Sequence, residues 1–217
     1  VSPYTLEEVY KSKNIILTDK TFYADNDFSN DINEKKELLD IFNKYIKVKK
    51  NKLKTINYLK EKLFKKNKIL GIHFRGTGYK FSQVIYPITN NQMINKVNEL
   101  LETEGYEKIF IMTEDESNFQ VLKKYYGKKL IFLNTSVRGN TNMEVYDIYP
   151  RARHRYKIGR NVLIETYLLS CCDGFIDIET NPKIMVEAIN LNTSQKRYIF
   201  DNFLCMNQGI ALAVFCI

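Results

Sequence analysis

The sequence predicts an α/β protein with a Rossmann-like, doubly wound parallel sheet that follows a helical N-terminal portion. Two observations carry this prediction. Short apolar runs, each suited to a buried strand, alternate with longer stretches whose apolar residues recur every three or four positions. Strands that alternate with helices in this way pair in parallel through right-handed crossovers. In addition, Gly105 and Gly127 stand where two of the predicted helices should stop.

The N-terminal portion, residues 1–66, is predicted to be mainly helical. Residues 1–30 form an irregular lead-in with one short apolar run at residues 14–17. Asp31 and Glu34 have the spacing of a capping box, which predicts that a helix begins there. Two apolar stripes follow at helical spacing, the first made of Leu38, Leu39, Phe42, Tyr45 and Ile46 and the second of Leu53, Ile56, Leu59 and Leu63.

The remaining portion, residues 67–217, is predicted to contain the sheet. We expect strands from Ile69 and at Ile109–Met112, Leu130–Leu133 and Phe175–Ile178, and helices at residues 90–104, 116–126, 160–172 and 182–190. Residues 134–159 lack a clear period and are rich in Arg, Asn and Tyr, which indicates a long functional loop over the sheet. The apolar residues 209–217 are predicted to form a buried strand or helix end.

The net charge of +8 comes from a single segment. Residues 44–68 contain 11 lysines and one acid, Glu61, whereas the rest of the chain holds 22 basic and 24 acidic residues. The lysines are not interleaved with Arg and aromatic side chains, so we expect no nucleic-acid partner. Two interpretations of the Lys44–Lys68 face remain open, a solvated helix face or peripheral contact with an anionic membrane or ligand.

Cysteine usage and hydropathy indicate a cytoplasmic protein. The four cysteines, Cys171, Cys172, Cys205 and Cys216, form no Cys-x-x-Cys pair and have no histidine nearby at metal-ligand spacing. Reduced thiols are therefore expected. No apolar run approaches the ~18–20 residues of a membrane span, and the first residues show neither the basic region nor the apolar core of a signal peptide.

Polar side chains follow three of the predicted strands. Ligands bind beyond the carboxyl ends of parallel strands, and an Arg there can hold an anion through two parallel N–H bonds. Glycines beside it let backbone amides approach a phosphate, although a tight turn with a surface Arg would look the same. Asn181 before Pro182 suits either a helix cap or an anion site at a helix N-terminus. The three strand ends carry His73, Arg75, Gly76, Thr77 and Gly78, then Thr113, Glu114 and Asp115, and finally Glu179, Thr180 and Asn181.

Three stretches resemble motifs of one fucosyltransferase group, which comprises nodulation, core α1,6- and protein O-fucosyltransferases. Residues 73–79, HFRGTGY, look like the motif H-x-R-x-T-D of that group. Residues 110–115, FIMTED, are similar to its strand that ends in T-D-D. Residues 162–176, VLIETYLLSCCDGFI, resemble its helix and strand written V-L-I-D/E-x-x-L-L-S-x-C-D-x-x-I, the most specific of the three.

The resemblance implies a glycosyltransferase of the two-Rossmann-domain (GT-B) type that uses GDP-fucose as its donor and needs no metal or other cofactor. Residues 67–217 would then be the GDP-sugar-binding domain, and residues 1–66 a remnant of an acceptor-side domain. Arg75 would contact the β-phosphate, and His73 and Glu165 would bind the guanine, although Glu165 could also be an exposed helix residue. The other substrate-binding residues would be Gly76, Thr77, Gly78, Tyr79, Thr113, His154, Ser170, Thr180 and Asn181.

The sequence also departs from the group at positions that matter for catalysis. Gly76 and Gly78 replace a basic residue and an Asp, and residues 80–87 contain no acid to serve as a base. Glu114 and Asp115 are therefore candidate catalytic residues by location alone, together with Arg75. Three hypotheses follow: an inverting fucosyltransferase acting on a glycan or lipid-linked glycan, a GDP-sugar-binding protein without catalysis, and a basic interaction module.

Overall fold

The computed structural model describes residues 47–76, 88–140, 151–177 and 195–200. It also describes single residues at positions 36, 37, 40, 41, 44, 45, 145, 182, 185, 186 and 189. The predictions for Asp31 and for residues 14–17 and 209–217 lie outside this range, as do Cys205 and Cys216. Of the first apolar stripe only the side chain of Tyr45 is described, and it is exposed. The proposed boundary at residue 66 remains a prediction.

Five strands form one parallel sheet, which confirms the predicted α/β fold class. In chain order they are β1 (Ile69–His73), β2 (Lys108–Met112), β3 (Leu130–Ile131), β4 (Gly174–Asp177) and β5 (Lys196–Ile199). The spatial order is β3-β2-β1-β4-β5, and every neighbouring pair is parallel. The order reverses between β1 and β4, so the crevice of this doubly wound sheet lies beyond their carboxyl ends.

Among the described residues, the helices with complete bounds that cover the two faces of the sheet are α1 (Lys50–Phe64), α2 (Asn90–Glu104), α3 (Glu116–Tyr126) and α4 (His154–Ser170). Helices α2 and α3 pack with Leu70 and Ile72 of β1 in one core cluster. Helices α1 and α4 pack with Ile69, on the opposite face, in the other. Because both faces are buried, β1 reads as a continuous apolar run rather than an alternating one.

Most predicted boundaries agree with the structure. Helices α2 and α3 occupy the expected residues, and each stops at its predicted glycine, with Gly105 in the left-handed conformation at φ 70°. Residues 182, 185, 186 and 189 are helical, as expected for the last predicted helix. The second apolar stripe is correct in α1, where Ile56 is buried and Leu59 and Leu63 are half-buried.

Three predictions about elements differ from the structure. Helix α4 begins at His154, six residues before the expected position 160, so it shortens the predicted loop 134–159. The first seven residues of α4, HRYKIGR, include no buried side chain and contain a glycine, so they show no apolar period. Strand β3 ends at Ile131 rather than Leu133. Strand β5 was not predicted, because its sequence Lys-Arg-Tyr-Ile is polar, as edge strands often are.

Cys172 is buried, Cys171 is half-buried, and both are free thiols. Among the helices within the described residues, none has the length and apolar character needed to span a membrane.

Candidate functional site

The carboxyl ends of β1 and β2 open onto a cavity of about 300 Å³. The parallel register sets His73 opposite Met112, so the residues that follow the two strands emerge at the same edge of the sheet. The loop after β3 and one side of α4 form the remaining walls. The cavity is lined by His73, Arg75, Met112, Thr113, Glu114, Ser136, Val137, Val145, Ile158, Asn161, Val162, Glu165 and Pro182.

The end of β1 supplies an imidazole and a guanidinium. His73 is only 4% exposed, and burial lowers its pKa to about 4, with the nearby charge of Arg75 acting in the same direction. The ring is therefore neutral at physiological pH. Arg75 lies just beyond the strand and is half-buried at the cavity wall. A guanidinium in this position suits a doubly hydrogen-bonded oxyanion such as a phosphate.

Gly76 lets the chain pass close to the end of β2. Its backbone N–H donates to Oε1 of Glu114 at 3.0 Å. A Cβ at this position would lie 2.4 Å from Cβ of Asp115, so only glycine fits. Burial raises the pKa of Glu114, although the Gly76 hydrogen bond and the charge of Arg75 oppose that shift. The Glu114 carboxylate thus lines the cavity as a more basic group than an exposed carboxylate.

The side chain of Asp115 serves α3 instead. It is fully buried and caps the helix by accepting from the backbone N–H of Asn118 at 2.9 Å and from Oγ of Ser117 at 2.5 Å. Asp115 does not belong to the cavity lining. Of the two acids that the sequence offered as catalytic candidates, only Glu114 faces the cavity.

Glu165 is a buried cavity residue, which excludes the alternative that it is an exposed helix residue. Its side chain is 5% exposed, and Oγ of Ser136 donates to its Oε1 at 2.7 Å. Burial raises the pKa of Glu165 to about 7, and the Ser136 hydrogen bond and the charge of Arg138 hold it from rising further. The carboxylate can therefore be ionised near neutral pH, and it faces the same cavity as Arg75.

The loop after β3 contributes residues that the sequence reasoning missed. Ser136 donates to Glu165 through its hydroxyl. Nη1 of Arg138 donates to the carbonyl of Ser136 at 3.5 Å. The guanidinium carbon of Arg138 lies 3.7 Å from the ring centre of Phe119. Asn161, one helical turn before Glu165, donates to the carbonyl of Thr135 at 2.7 Å. The available signal was the pair of polar residues Asn161 and Glu165, whose spacing of four positions sets them on the same face of α4.

Three further residues of the predicted substrate-binding set lie at different places in the fold, and only one of them lines the cavity. Thr113 lines the cavity, and its Oγ1 accepts from the N–H of Asp115 at 3.2 Å. His154 begins α4 outside the lining, where its Nε2 lies 2.9 Å from the carbonyl of Val145. Ser170 ends α4 at the amino-terminal edge of the sheet, so the structure does not bring it to the cavity. The predicted residues Thr77, Gly78, Tyr79, Glu179, Thr180 and Asn181 lie outside the described part.

No protein-family model matches the chain, and no curated protein sequence matches it. Among solved structures it is similar to NodZ α-1,6-fucosyltransferase co-crystallised with GDP, at 18% identity and a TM-score of 0.49 over 72% of this chain and 46% of that one. The fucosyltransferase NodZ from Bradyrhizobium matches at 17% identity and a TM-score of 0.46, covering 65% and 42%. POFUT1 in complex with GDP matches at 8% identity and a TM-score of 0.49, covering 76% and 50%.

This chain thus spans about half the length of these fucosyltransferases, which belong to the group whose motifs its sequence resembles. With identities below 20% and TM-scores below 0.5, the similarity stands as a likeness of fold. The functional case rests on the residues of the cavity.

Proposed function

We propose that this chain binds GDP-fucose and transfers the fucosyl group, with inversion, to a glycan or lipid-linked glycan acceptor. One observation carries the proposal: a buried carboxylate, Glu165, and a half-buried guanidinium, Arg75, line the same cavity at the carboxyl edge of a parallel sheet. A ligand that fits both must present paired hydrogen-bond donors to the carboxylate and an oxyanion to the guanidinium. A guanosine diphosphate has both features.

The base specificity follows from the hydrogen bonds that Glu165 can accept. The N1–H and the exocyclic amine of guanine form a pair of donors that one carboxylate binds together, whereas adenine and uracil offer no such pair. Ser136 already donates to Oε1 of Glu165 and so fixes the carboxylate before a ligand arrives. The neutral ring of His73 is the second group that we assign to the guanine, as the motif resemblance implies.

The transfer step needs charge stabilisation at one end and a base at the other. The bond between C1 of fucose and the β-phosphate oxygen breaks, and the departing GDP keeps the electron pair. Arg75 stabilises the negative charge that develops on the diphosphate, so no metal ion is needed for this purpose. The acceptor hydroxyl attacks C1 from the opposite face and gives up its proton to Glu114, the other described carboxylate that lines the cavity, whose pKa burial raises.

We further propose that the protein works in the cytoplasm, with peripheral contact between the Lys44–Lys68 face and an anionic membrane. Helix α1 carries five of these lysines against one acid, Glu61. Clustered lysines beside a membrane that contains anionic lipids contribute about 1 kcal/mol each to attraction. Co-sedimentation with anionic but not with neutral vesicles is the corresponding test.

Calorimetry with GDP, ADP and UDP tests the donor assignment. We expect GDP to bind far more tightly than the other two, and Glu165→Ala to weaken GDP by about 2–4 kcal/mol, or tens- to hundreds-fold, because a charge-assisted pair of hydrogen bonds is lost. Glu102→Ala is the matched control, since Glu102 is an exposed helix residue away from the cavity. Equal GDP affinity with and without the Glu165 carboxylate contradicts the proposal.

A further inference from the structure

A second cavity, of about 410 Å³, lies beside the first, between α1, the loop after β3 and α4. Asn161 lines both cavities. In the loop, Thr135 faces the second cavity and its neighbour Ser136 faces the first. The hydrogen bond from Nδ2 of Asn161 to the carbonyl of Thr135 therefore forms part of a thin wall that the two cavities share.

The charged residues that line the second cavity are all cationic. They are Lys52 and Lys62 from α1 and Arg160 from α4, and no carboxylate belongs to the lining in the described part of the chain. Nε of Arg160 is buried and has no hydrogen-bond partner among the described residues. A buried guanidinium nitrogen normally has a partner, so Nε of Arg160 is available to an anion in the cavity, whereas Nη2 of the same side chain donates to Oδ1 of Asn161 at 3.4 Å.

The rest of the lining is largely apolar. The apolar lining side chains belong to the sheet core or pack against it. They are Leu59 and Leu63 from α1, Phe132, Leu133 and Ile164. An inorganic anion gains nothing from such a surface, whereas an alkyl chain or another apolar group buries area against it. The ligand that fits both features is an amphiphile with an anionic head.

We propose that this second cavity binds a phosphate-bearing amphiphile, with the phosphate held by Lys52, Lys62 and Arg160 and the apolar part against the leucine and phenylalanine side chains. The wall at Asn161 adjoins the end of the donor cavity where Ser136 holds Glu165, the end assigned to the guanine, so the amphiphile is a ligand separate from the donor. The binding of the amphiphile does not depend on the proposed function.

Calorimetry with dihexanoylphosphatidic acid below its micellar concentration tests the site. The first titration uses protein saturated with GDP, so that the donor cavity is filled, and the second uses protein without GDP. We expect binding in both, and about tenfold weaker binding for Lys52→Gln and for Arg160→Gln, each of which removes one charged contact. Lys54→Gln and Arg155→Gln are matched controls on exposed positions of the same two helices outside the lining. They should bind like the wild type.

Two further ligands distinguish the contribution of the anionic head group of the amphiphile from that of its apolar part. Inorganic phosphate should bind at least tenfold more weakly than the amphiphile, and the neutral amphiphile octyl glucoside should not bind measurably. Equal binding of inorganic phosphate and the amphiphile, or unchanged affinity in Lys52→Gln and Arg160→Gln, overturns the proposal. The same variants must keep wild-type GDP affinity, which shows that the fold is intact. If GDP does not bind the wild type, the proposed function is contradicted. The titration of the amphiphile into protein without GDP still tests the second cavity.

Discussion

Ser136→Ala removes the hydroxyl that holds Glu165. Oγ of Ser136 donates to Oε1 of the buried carboxylate at 2.7 Å, and this bond favours the ionised form. A hydrogen bond to a charged group contributes about 1.5–3 kcal/mol, which corresponds to roughly one to two pKa units. Since burial already raises the pKa of Glu165 to about 7 in the intact protein, loss of the Ser136 hydrogen bond should raise the pKa of this carboxyl group further, by roughly that amount.

The consequence for GDP binding depends on pH. At pH 7 the ionised fraction of Glu165 falls from about a half to roughly a tenth or a hundredth, so GDP affinity should fall roughly five- to fiftyfold. At pH 8.5 the deficit should shrink to roughly fourfold or less, because the ionised fractions of the wild-type and variant carboxyl groups then differ much less. Recovery at high pH distinguishes a shifted pKa from a damaged cavity, which would bind poorly at every pH.

Calorimetric titrations of GDP at pH 6, 7, 8 and 8.5 measure this effect. Thr135→Ala is the matched control, because Thr135 uses its backbone carbonyl rather than its side chain to hold Asn161. The control should follow the wild-type pH profile. A Ser136→Ala variant with wild-type affinity at pH 7, or with a loss that does not change with pH, refutes the role given to Glu165.

Three other perturbations test separate parts of the site. Arg75→Lys keeps the charge but loses the planar pair of donors, so GDP affinity should fall about tenfold or more by calorimetry, and wild-type affinity would remove the phosphate assignment. Burial raises the pKa of Glu165 from 4.5 to about 7, so this group's contribution to stability is present below pH 4.5 and is lost as the pH rises to 7. In denaturant titrations, the unfolding free energy of the wild type relative to Glu165→Gln should therefore drop by about 3 kcal/mol over that interval, and a constant difference would contradict the burial argument. Fucosyl transfer should persist in excess EDTA because Arg75 carries the leaving-group charge, whereas a rate abolished by EDTA and restored by Mn²⁺ would indicate metal-dependent chemistry.

The fold could be predicted from the sequence where the pattern is simple. Buried parallel strands such as β1 and β2 are short apolar runs, and α2 and α3 end at glycines that the sequence shows directly. The start of α4 was not predicted because none of its first seven residues is buried, and they therefore show no apolar period. Strand β5 was not predicted because it is a polar edge strand of four residues.

Only part of the site could be predicted from the sequence, because some of its contacts depend on side-chain orientation and on residues far apart in the chain. Residues at strand ends, such as Arg75 and Glu114, follow from topology, since parallel strands deliver their carboxyl ends to one edge. The assignment of Asp115 to helix capping depends on side-chain orientation, which spacing does not specify. Ser136 and Asn161 act through contacts across the chain, and no periodicity marks the segment that holds Ser136.

A crystal structure of the protein with GDP tests the central claim most directly. We predict that the guanine N1 and N2 atoms lie within hydrogen-bond distance of the Glu165 carboxylate, and that the β-phosphate contacts the Arg75 guanidinium, with Ser136 still bound to Oε1 of Glu165. A GDP molecule seated elsewhere on the chain, or one in this cavity with its diphosphate away from Arg75 and its base away from Glu165, contradicts it.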